Sequence, residues 1–262
     1  MPPSAPRLSI AAEAFVASMP ATYREAFDDD HALAHFAVVQ GRVRGETRVE
    51  LWREEEDALA ICVVADDRPG LHAKINAALV AHAIDVVAAH AYCRIDADGL
   101  SEAVDFLWIR RAPGASAVGE LRAADIPHIA SMIVALADGR TTFAGSVAVI
   151  PASVPPPPRG SSTTVRFEHD DRDGRTILTI EAVDRPGLLL AVTRTLFKAG
   201  LQIVGLRAST EGGRAVDRFE LGELDGGVIR RERMFTLQTA ILCAIDEAGE
   251  TRGANAASFA DV

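Results

Sequence analysis

With 262 residues and a formal charge of −10 from 27 basic and 37 acidic side chains, the chain lacks the clustered Lys and Arg that neutralise phosphates on a nucleic-acid surface. Two Trp and two Tyr leave few rings for stacking bases, while an apolar share of 48% supplies ordinary cores for one or two domains. No apolar run reaches membrane-spanning length, and Met1-Pro-Pro-Ser4 has no basic region followed by an apolar stretch, so we expect a cytoplasmic protein that partners neither nucleic acid nor membrane.

Residues 1–45 read as a helical segment. One short helix runs from Ile10 to Ser18 and breaks at Pro20; another runs from Asp28 to Val39, with Asp28, Asp29 and Asp30 placed where a helix dipole favours negative charge. His31 and His35 lie one helical turn apart, but two imidazoles without a third ligand leave a zinc site incomplete, so we read a packed or solvated pair.

From Glu46 a pattern begins that the chain later writes again. Arg48 to Trp52 alternates as a half-buried strand, and the charged loop Arg53–Asp57 turns it into a second strand, Leu59 to Ala65. A helix with Leu71, Ile75 and Leu79 at four-residue steps follows. Then come an extended stretch from Asp85 to Ile95, the turn Asp96–Gly99, a strand from Ala103 to Ile109, and a helix from about Val118 to Leu136 that Pro127 should break or kink. This first unit covers 46–139.

Residues 140–162 form the connection: Thr141 to Ile150 reads as an extra strand, and Pro151 to Gly160, with four consecutive prolines, as a semi-rigid linker. The second unit, 163–249, repeats the order: a strand from Thr163 to Glu168, a turn at Asp171–Gly174, a strand from Thr176 to Val183 and a helix from Pro186 to Ala199. Strands from Leu201 to Thr210 and Ala215 to Leu224 follow. The last helix, about Arg230 to Ala248, should bury Met234, Leu237, Ile241, Leu242 and Ile245. Residues 250–262 read as a loose tail. Cys62, Cys93 and Cys243 lie in apolar segments without paired metal spacing and read as small buried thiols of a reducing compartment.

The order implies an α+β fold of two ferredoxin-like sandwiches. Such a sandwich runs β-α-β-β-α-β, with its last strand antiparallel to its first. Here a hairpin partner precedes the first strand in both units, so each is expected to be a permuted sandwich whose leading strand fills the last-strand slot.

The repeat is sharpest at Asp67-Arg68-Pro69-Gly70-Leu71, written again as Asp184-Arg185-Pro186-Gly187-Leu188. Proline lacks the N–H that a first-turn position leaves unpaired, so Pro69 and Pro186 suit a helix start. The aspartates sit where a carboxylate can accept from free first-turn N–H groups. Gly70 and Gly187 leave backbone uncovered, so a small ligand can approach the open N–H groups.

With this loop after a strand, and Ala103-Val104-Asp105 answered by Ala215-Val216-Asp217, the chain resembles a tandem of ACT domains. More closely, it is similar to the C-terminal ACT pair of the bacterial protein-PII uridylyltransferase/uridylyl-removing enzymes, over about Glu46 to Gly249. The stretch with Pro20, Tyr23 and His35 looks like the linker that precedes that pair. The resemblance implies an amino-acid ligand, glutamine first, at the loop between first strand and first helix: Asp67, Arg68, Pro69, Gly70 and Leu71, and Asp184, Arg185, Pro186, Gly187 and Leu188. The residue entering the next strand, often Asn in relatives, is Asp85 in one copy and Gln202 in the other. His90 stands where relatives often have the arginine kept as Arg207, and Arg218 and Glu220 replace an apolar pair found as Phe106 and Trp108, so one of the two sites is expected to be silent.

We therefore expect a non-catalytic regulator, with no catalytic residue, metal or cofactor, that reports amino-acid or nitrogen status to a protein partner. Exposed edge strands invite pairing, so a homodimer is expected. Two alternatives stand beside this reading. One is a minimal nucleotidyltransferase: Gly160-Ser161 followed by Asp171 and Asp173 has the loose shape of that signature, though the aspartates fall in a hairpin turn rather than on a strand. His169-Asp170 is too lone a dipeptide for a metal-dependent phosphohydrolase. The other is an interaction module in which both loops are only structural.

Overall fold

The computed structural model describes residues 8–115, 119–142, 162–170 and 174–250. The expected extra strand and proline-rich linker fall largely on 143–161, outside the described residues, as do Gly160, Ser161 and Asp171 to Asp173.

Eight strands form a single sheet: β1 (Arg48–Glu54), β2 (Leu59–Asp66), β3 (Ile84–Ile95), β4 (Ser101–Arg111), β5 (Thr164–Asp170), β6 (Arg175–Val183), β7 (Leu201–Glu211) and β8 (Arg214–Glu223). Their order is β1-β2-β4-β3-β7-β8-β6-β5, with every pairing antiparallel. Within each half the leading strand lies beside the strand before the helix, the slot that the last strand fills in an unpermuted ferredoxin-like sandwich. The permuted α+β architecture expected from the hairpin is the one observed.

The halves join edge to edge at β3 and β7, where Ala88 pairs with Ser209 and Tyr92 with Gly205. At the centre, His90 pairs with Arg207, its own counterpart in the second repeat. A pseudo-two-fold axis therefore passes through that pair, and each β3/β7 edge is satisfied within the chain. Strands β1 and β5 remain at the two ends of the sheet.

Helices α4 (Leu71–Ala81), α5 (Ile126–Ala137), α6 (Leu188–Lys198) and α7 (Arg231–Glu250) cover one face. One apolar core runs beneath them across both repeats, from Ile61, Ile75 and Ile109 to Leu178, Leu196 and Phe219. The helix expected from Val118 starts later. A short 3₁₀ turn, Ala123–Asp125, precedes α5, and Pro127 stands in its first turn, where a missing N–H costs nothing; the proline begins the helix instead of kinking it.

On the opposite face, α1 (Ile10–Ser18), α2 (Ala21–Ala26) and α3 (Asp29–Gln40) pack on the first repeat, and α2 touches the second at Arg207, whose Nη2 donates to the Thr22 carbonyl at 3.4 Å. Phe15, Tyr23, Phe27 and Val38 pack there against Cys62, Val64, Val104 and Phe106. His35 belongs to this second core: it shares a 2.9 Å hydrogen bond with the Tyr23 hydroxyl and stacks on Phe106 at 3.8 Å. Burial, helped by His31, lowers its pKa to about 3, so the imidazole is neutral and structural. His31 instead receives a hydrogen bond from Arg53 at the surface. The expectation of three buried thiols holds for Cys62 alone: Cys93 is half-buried and Cys243 is exposed, on the outer side of α7.

Candidate functional site

The repeated loops are alike in backbone. In each, the arginine carbonyl accepts from the leucine N–H three residues on, Arg68 to Leu71 and Arg185 to Leu188, both at 3.1 Å. Gly70 has φ 81° and ψ 1°, and Gly187 φ 84° and ψ −1°. Proline at the second place and a left-handed glycine at the third define a type II turn. The prolines thus start the turn, and the helices begin one step later, at Leu71 and Leu188. Neither helix has a side-chain cap, so the aspartates do not play the capping part expected of them.

The aspartates turn toward the seam instead. Asp67 accepts from Cys93 Sγ at 2.7 Å, from Ser101 Oγ at 3.0 Å and, across the repeats, from Gln202 Nε2 at 2.6 Å. Asp184 accepts from Thr210 Oγ1 at 3.0 Å. The crossing related to it by the pseudo-two-fold brings it near Asp85, whose partner is Arg110 of its own repeat, with Nη2 at 3.1 Å; the same Nη2 lies 3.9 Å from Asp184. Each loop therefore meets the strand-entry residue of the other repeat: Asp67 with Gln202, and Asp184 with Asp85.

The two crossings differ in what fills them. Beside Gly70 lies the ring of Phe197 from α6, 2.8 Å from where a Cβ would stand, and only about 10 Å³ of space remains there. At the equivalent place on α4 stands Val80, and no described residue lies within 4 Å of the corresponding position on Gly187. A cavity of about 30 Å³ opens there, bounded by Asn76, Val80 and Asp85 from the first repeat and by Gly187, Thr210 and Asp217 from the second. That is more than the space one water needs.

Two unsatisfied groups of opposite sign belong to residues lining this cavity. Asp217 is 3% exposed, and its Oδ2 has no hydrogen-bond partner among the described residues. Burial first, then the Asp184 carboxylate, raises its pKa to about 7. Arg185 donates through Nη2 to the Ile245 carbonyl of α7, while its Nε is buried without a partner among the described residues. Burial and the Asp184 charge likewise raise Asp85, to about 6, despite Arg110. In the first repeat the counterpart of Asp217 is Asp105, and His72 Nε2 lies 3.4 Å from its Oδ2. Leu189 occupies the place of His72 in the second repeat and offers no nitrogen.

Arg68 pairs with Asp66 at the surface and borders the small space beside Gly70 and Phe197. His90, at the centre of the seam, and Phe106, Trp108, Arg218 and Glu220 face the other side of the sheet, where the first repeat is covered by α1–α3 and the second carries Arg218 exposed and the Arg175–Glu220 pair. Their divergence follows which repeat bears the apolar helical cover. Asp217, His72 and Phe197 were not among the expected site residues, although an aspartate inside an apolar strand, written twice, was the available signal. Among the described residues, no group of three His, Cys, Asp or Glu is placed to hold a metal ion, and no helix is long and apolar enough to cross a membrane.

No family model matches the chain. Curated relatives are bifunctional uridylyltransferase/uridylyl-removing enzymes: 27% identical in Phenylobacterium zucineum, over 90% of this chain and 25% of the relative, and 29% in Caulobacter vibrioides, with the same coverage. The counterpart in Rhodospirillum rubrum is 27% identical over 90% of this chain and 26% of its own length. The chain thus spans about a quarter of the length of the curated relatives it matches, and that quarter is the C-terminal one. Among solved structures, the crystal structure of aspartate kinase from Synechocystis matches at 14% identity and a TM-score of 0.39, over 74% of this chain and 28% of that one.

Proposed function

We propose that this protein is a non-catalytic regulatory module that binds a small amino acid, glutamine first, in the cavity beside Gly187 and reports its presence to a protein partner in nitrogen regulation. One observation carries the reading: at one cavity a buried carboxylate oxygen and a buried guanidinium nitrogen, Asp217 Oδ2 and Arg185 Nε, both lack partners among the described residues. An α-amino acid carries the complementary ammonium and carboxylate, and buried polar groups left unpaired are costly until something pairs them. The cavity admits the charged end of such a ligand, with the rest of the molecule lying across the seam. The first loop, Asp67 to Leu71 with Gln202, is closed by Phe197 and its own hydrogen bonds, so binding is assigned to Asp184 to Leu188 with Asp85.

A ligand at the seam touches both repeats and therefore favours one arrangement of them, the differential affinity that a sensor requires. The alignment with uridylyltransferase/uridylyl-removing enzymes supports a nitrogen-linked role in the cytoplasm, and the edges β1 and β5 support a homodimer, which light scattering would measure.

The test is a thermal-shift screen against the twenty amino acids. A hundredfold excess over the dissociation constant stabilises the native state by about 2.7 kcal/mol. We expect glutamine to raise the midpoint, and Gly187→Trp to abolish the shift while the protein stays folded. If none of the twenty shifts the wild type, the reading falls.

A further inference from the structure

The second repeat differs from the first by a missing nitrogen. In the first, the His72 imidazole comes from the first turn of α4 to within 3.4 Å of Asp105, inside the sheet–helix interface, where Asp105 is 1% exposed. Burial pulls the histidine pKa down, and the Asp105 carboxylate, with Asp67 behind it, raises it above its ordinary value. In the second, Asp217 occupies the same inward register and is 3% exposed; Leu189 supplies no donor, and a cavity stands where the first repeat has side chains. Val80 in place of Phe197 is what leaves that volume open.

Building on the amino-acid reading above, we infer that Asp217 is the receptor for the ligand's ammonium group, which takes the place that the His72 imidazole holds beside Asp105, and that each chain binds one ligand. The first repeat is then the counterpart in which an imidazole already faces the carboxylate, His72 Nε2 lying 3.4 Å from Asp105, and in which Phe197 fills the volume. An ammonium fits better than a neutral N–H donor because Asp217, Asp184 and Asp85 converge on the cavity with Arg110 and Arg185 as the cations beside them, so the unsatisfied balance is negative on the Asp217 side. Hydrogen bonds to charged groups are also the stronger ones.

The experiment grafts the first repeat's nitrogen onto the second. Wild type, Leu189→His, Leu189→Met and Asp217→Asn are each titrated calorimetrically with L-glutamine and with its deaminated counterpart, 4-carbamoylbutanoate, and their melting curves are recorded alone. Expected are one site per wild-type chain for glutamine and no binding of the deaminated compound. Affinity should fall about tenfold to a hundredfold in Leu189→His and Asp217→Asn but stay near wild type in Leu189→Met. The unliganded Leu189→His protein should melt no lower than the wild type, because its imidazole meets the orphan carboxylate. If the wild type binds glutamine and the histidine and asparagine variants bind it equally well, or the deaminated compound binds as tightly, the assignment to Asp217 is overturned while the amino-acid reading stands. If the wild type binds neither glutamine nor any other of the twenty amino acids, the amino-acid reading falls and this inference with it.

Discussion

Around Gly70 the backbone lies under the ring of Phe197, whereas around Gly187 no described residue stands within 4 Å of a would-be side chain. The turn is the same, and so are five consecutive residue types, so the motif does not decide whether a loop is open. What decides it is the opposite helix, because each loop is roofed by the other repeat: Phe197 against Val80, Gln202 against Asp85. The same two repeats also differ on the far face of the sheet. There Cys62 and Phe106 pair across strands within the apolar layer beneath α1–α3, while their counterparts Thr179 and Arg218 pair outside that layer, with Arg218 exposed. One duplicated fold has thus been specialised twice, once per face, and the two specialisations are separable.

The far-face difference yields the largest expected effect. Phe106 is fully buried, with rings of His35 at 3.8 Å and Phe27 at 5.0 Å. Phe106→Arg should cost at least about 4 kcal/mol, since it loses a large apolar side chain and buries an unpaired charge. Arg218→Phe, the reverse exchange at the exposed counterpart, should stay within about 0.5 kcal/mol. Urea titrations read both. Equal costs at the two positions would mean that the helical layer does not discriminate between the repeats.

The next effect concerns the near face and pH. Asp217 is raised from 3.8 to about 7 in the folded state. The folded protein therefore holds more protons than the unfolded chain between those values. Stability contributed by the protonated group is complete below about pH 4 and lost as pH rises through about 7. At roughly 1.4 kcal/mol per unit, the loss is on the order of 2–4 kcal/mol, with Asp85 adding the same sign up to its own value of about 6. Asp217→Asn should remove its share of the slope and leave the unliganded variant more stable than the wild type at pH 8. Asp105→Asn should destabilise, because His72 then loses its partner. Denaturant midpoints between pH 4 and 8 decide; an unchanged slope in Asp217→Asn would sink the claim that this carboxylate is unsatisfied.

Much of this architecture was legible in the residues. Alternation in Arg48 to Trp52, four-residue steps at Leu71, Ile75 and Leu79, and the hairpin before each first strand were enough for the elements and for the permuted order, since these are local signals of period and turn. The loops were legible as special for the same reason. What they do was not: Asp67 and Asp184 looked like helix caps because sequence shows only neighbours along the chain, and their partners, Gln202 and the Asp85 region, arrive from the other repeat through the β3–β7 seam. The seam itself carries no motif. Arg218 and Glu220 were visible as departures, but assigning them to the far face required knowing which strand register points inward. Asp217 was in plain view inside Ala215-Val216-Asp217, yet its want of a partner depends on Leu189, a residue with nothing unusual about it until His72 is seen across the pseudo-symmetry.

The smallest effect is the most direct probe of the roof. Both glycines have φ near +80°, a region in which an L-residue pays about 1 kcal/mol or somewhat more. Gly187→Ala should cost that and little else, because the added methyl meets open space. Gly70→Ala meets Phe197 at 2.8 Å as well, so the ring must shift and the cost should rise to about 2–3 kcal/mol. The difference between the two substitutions isolates the contact, and a double-mutant cycle with Phe197→Ala isolates it further: in that background Gly70→Ala should fall to the Gly187→Ala value. If the two alanines cost the same in the wild-type background, Phe197 yields freely, the first loop is only loosely closed, and the contrast between the two sites must then rest on Gln202 and His72 rather than on the ring.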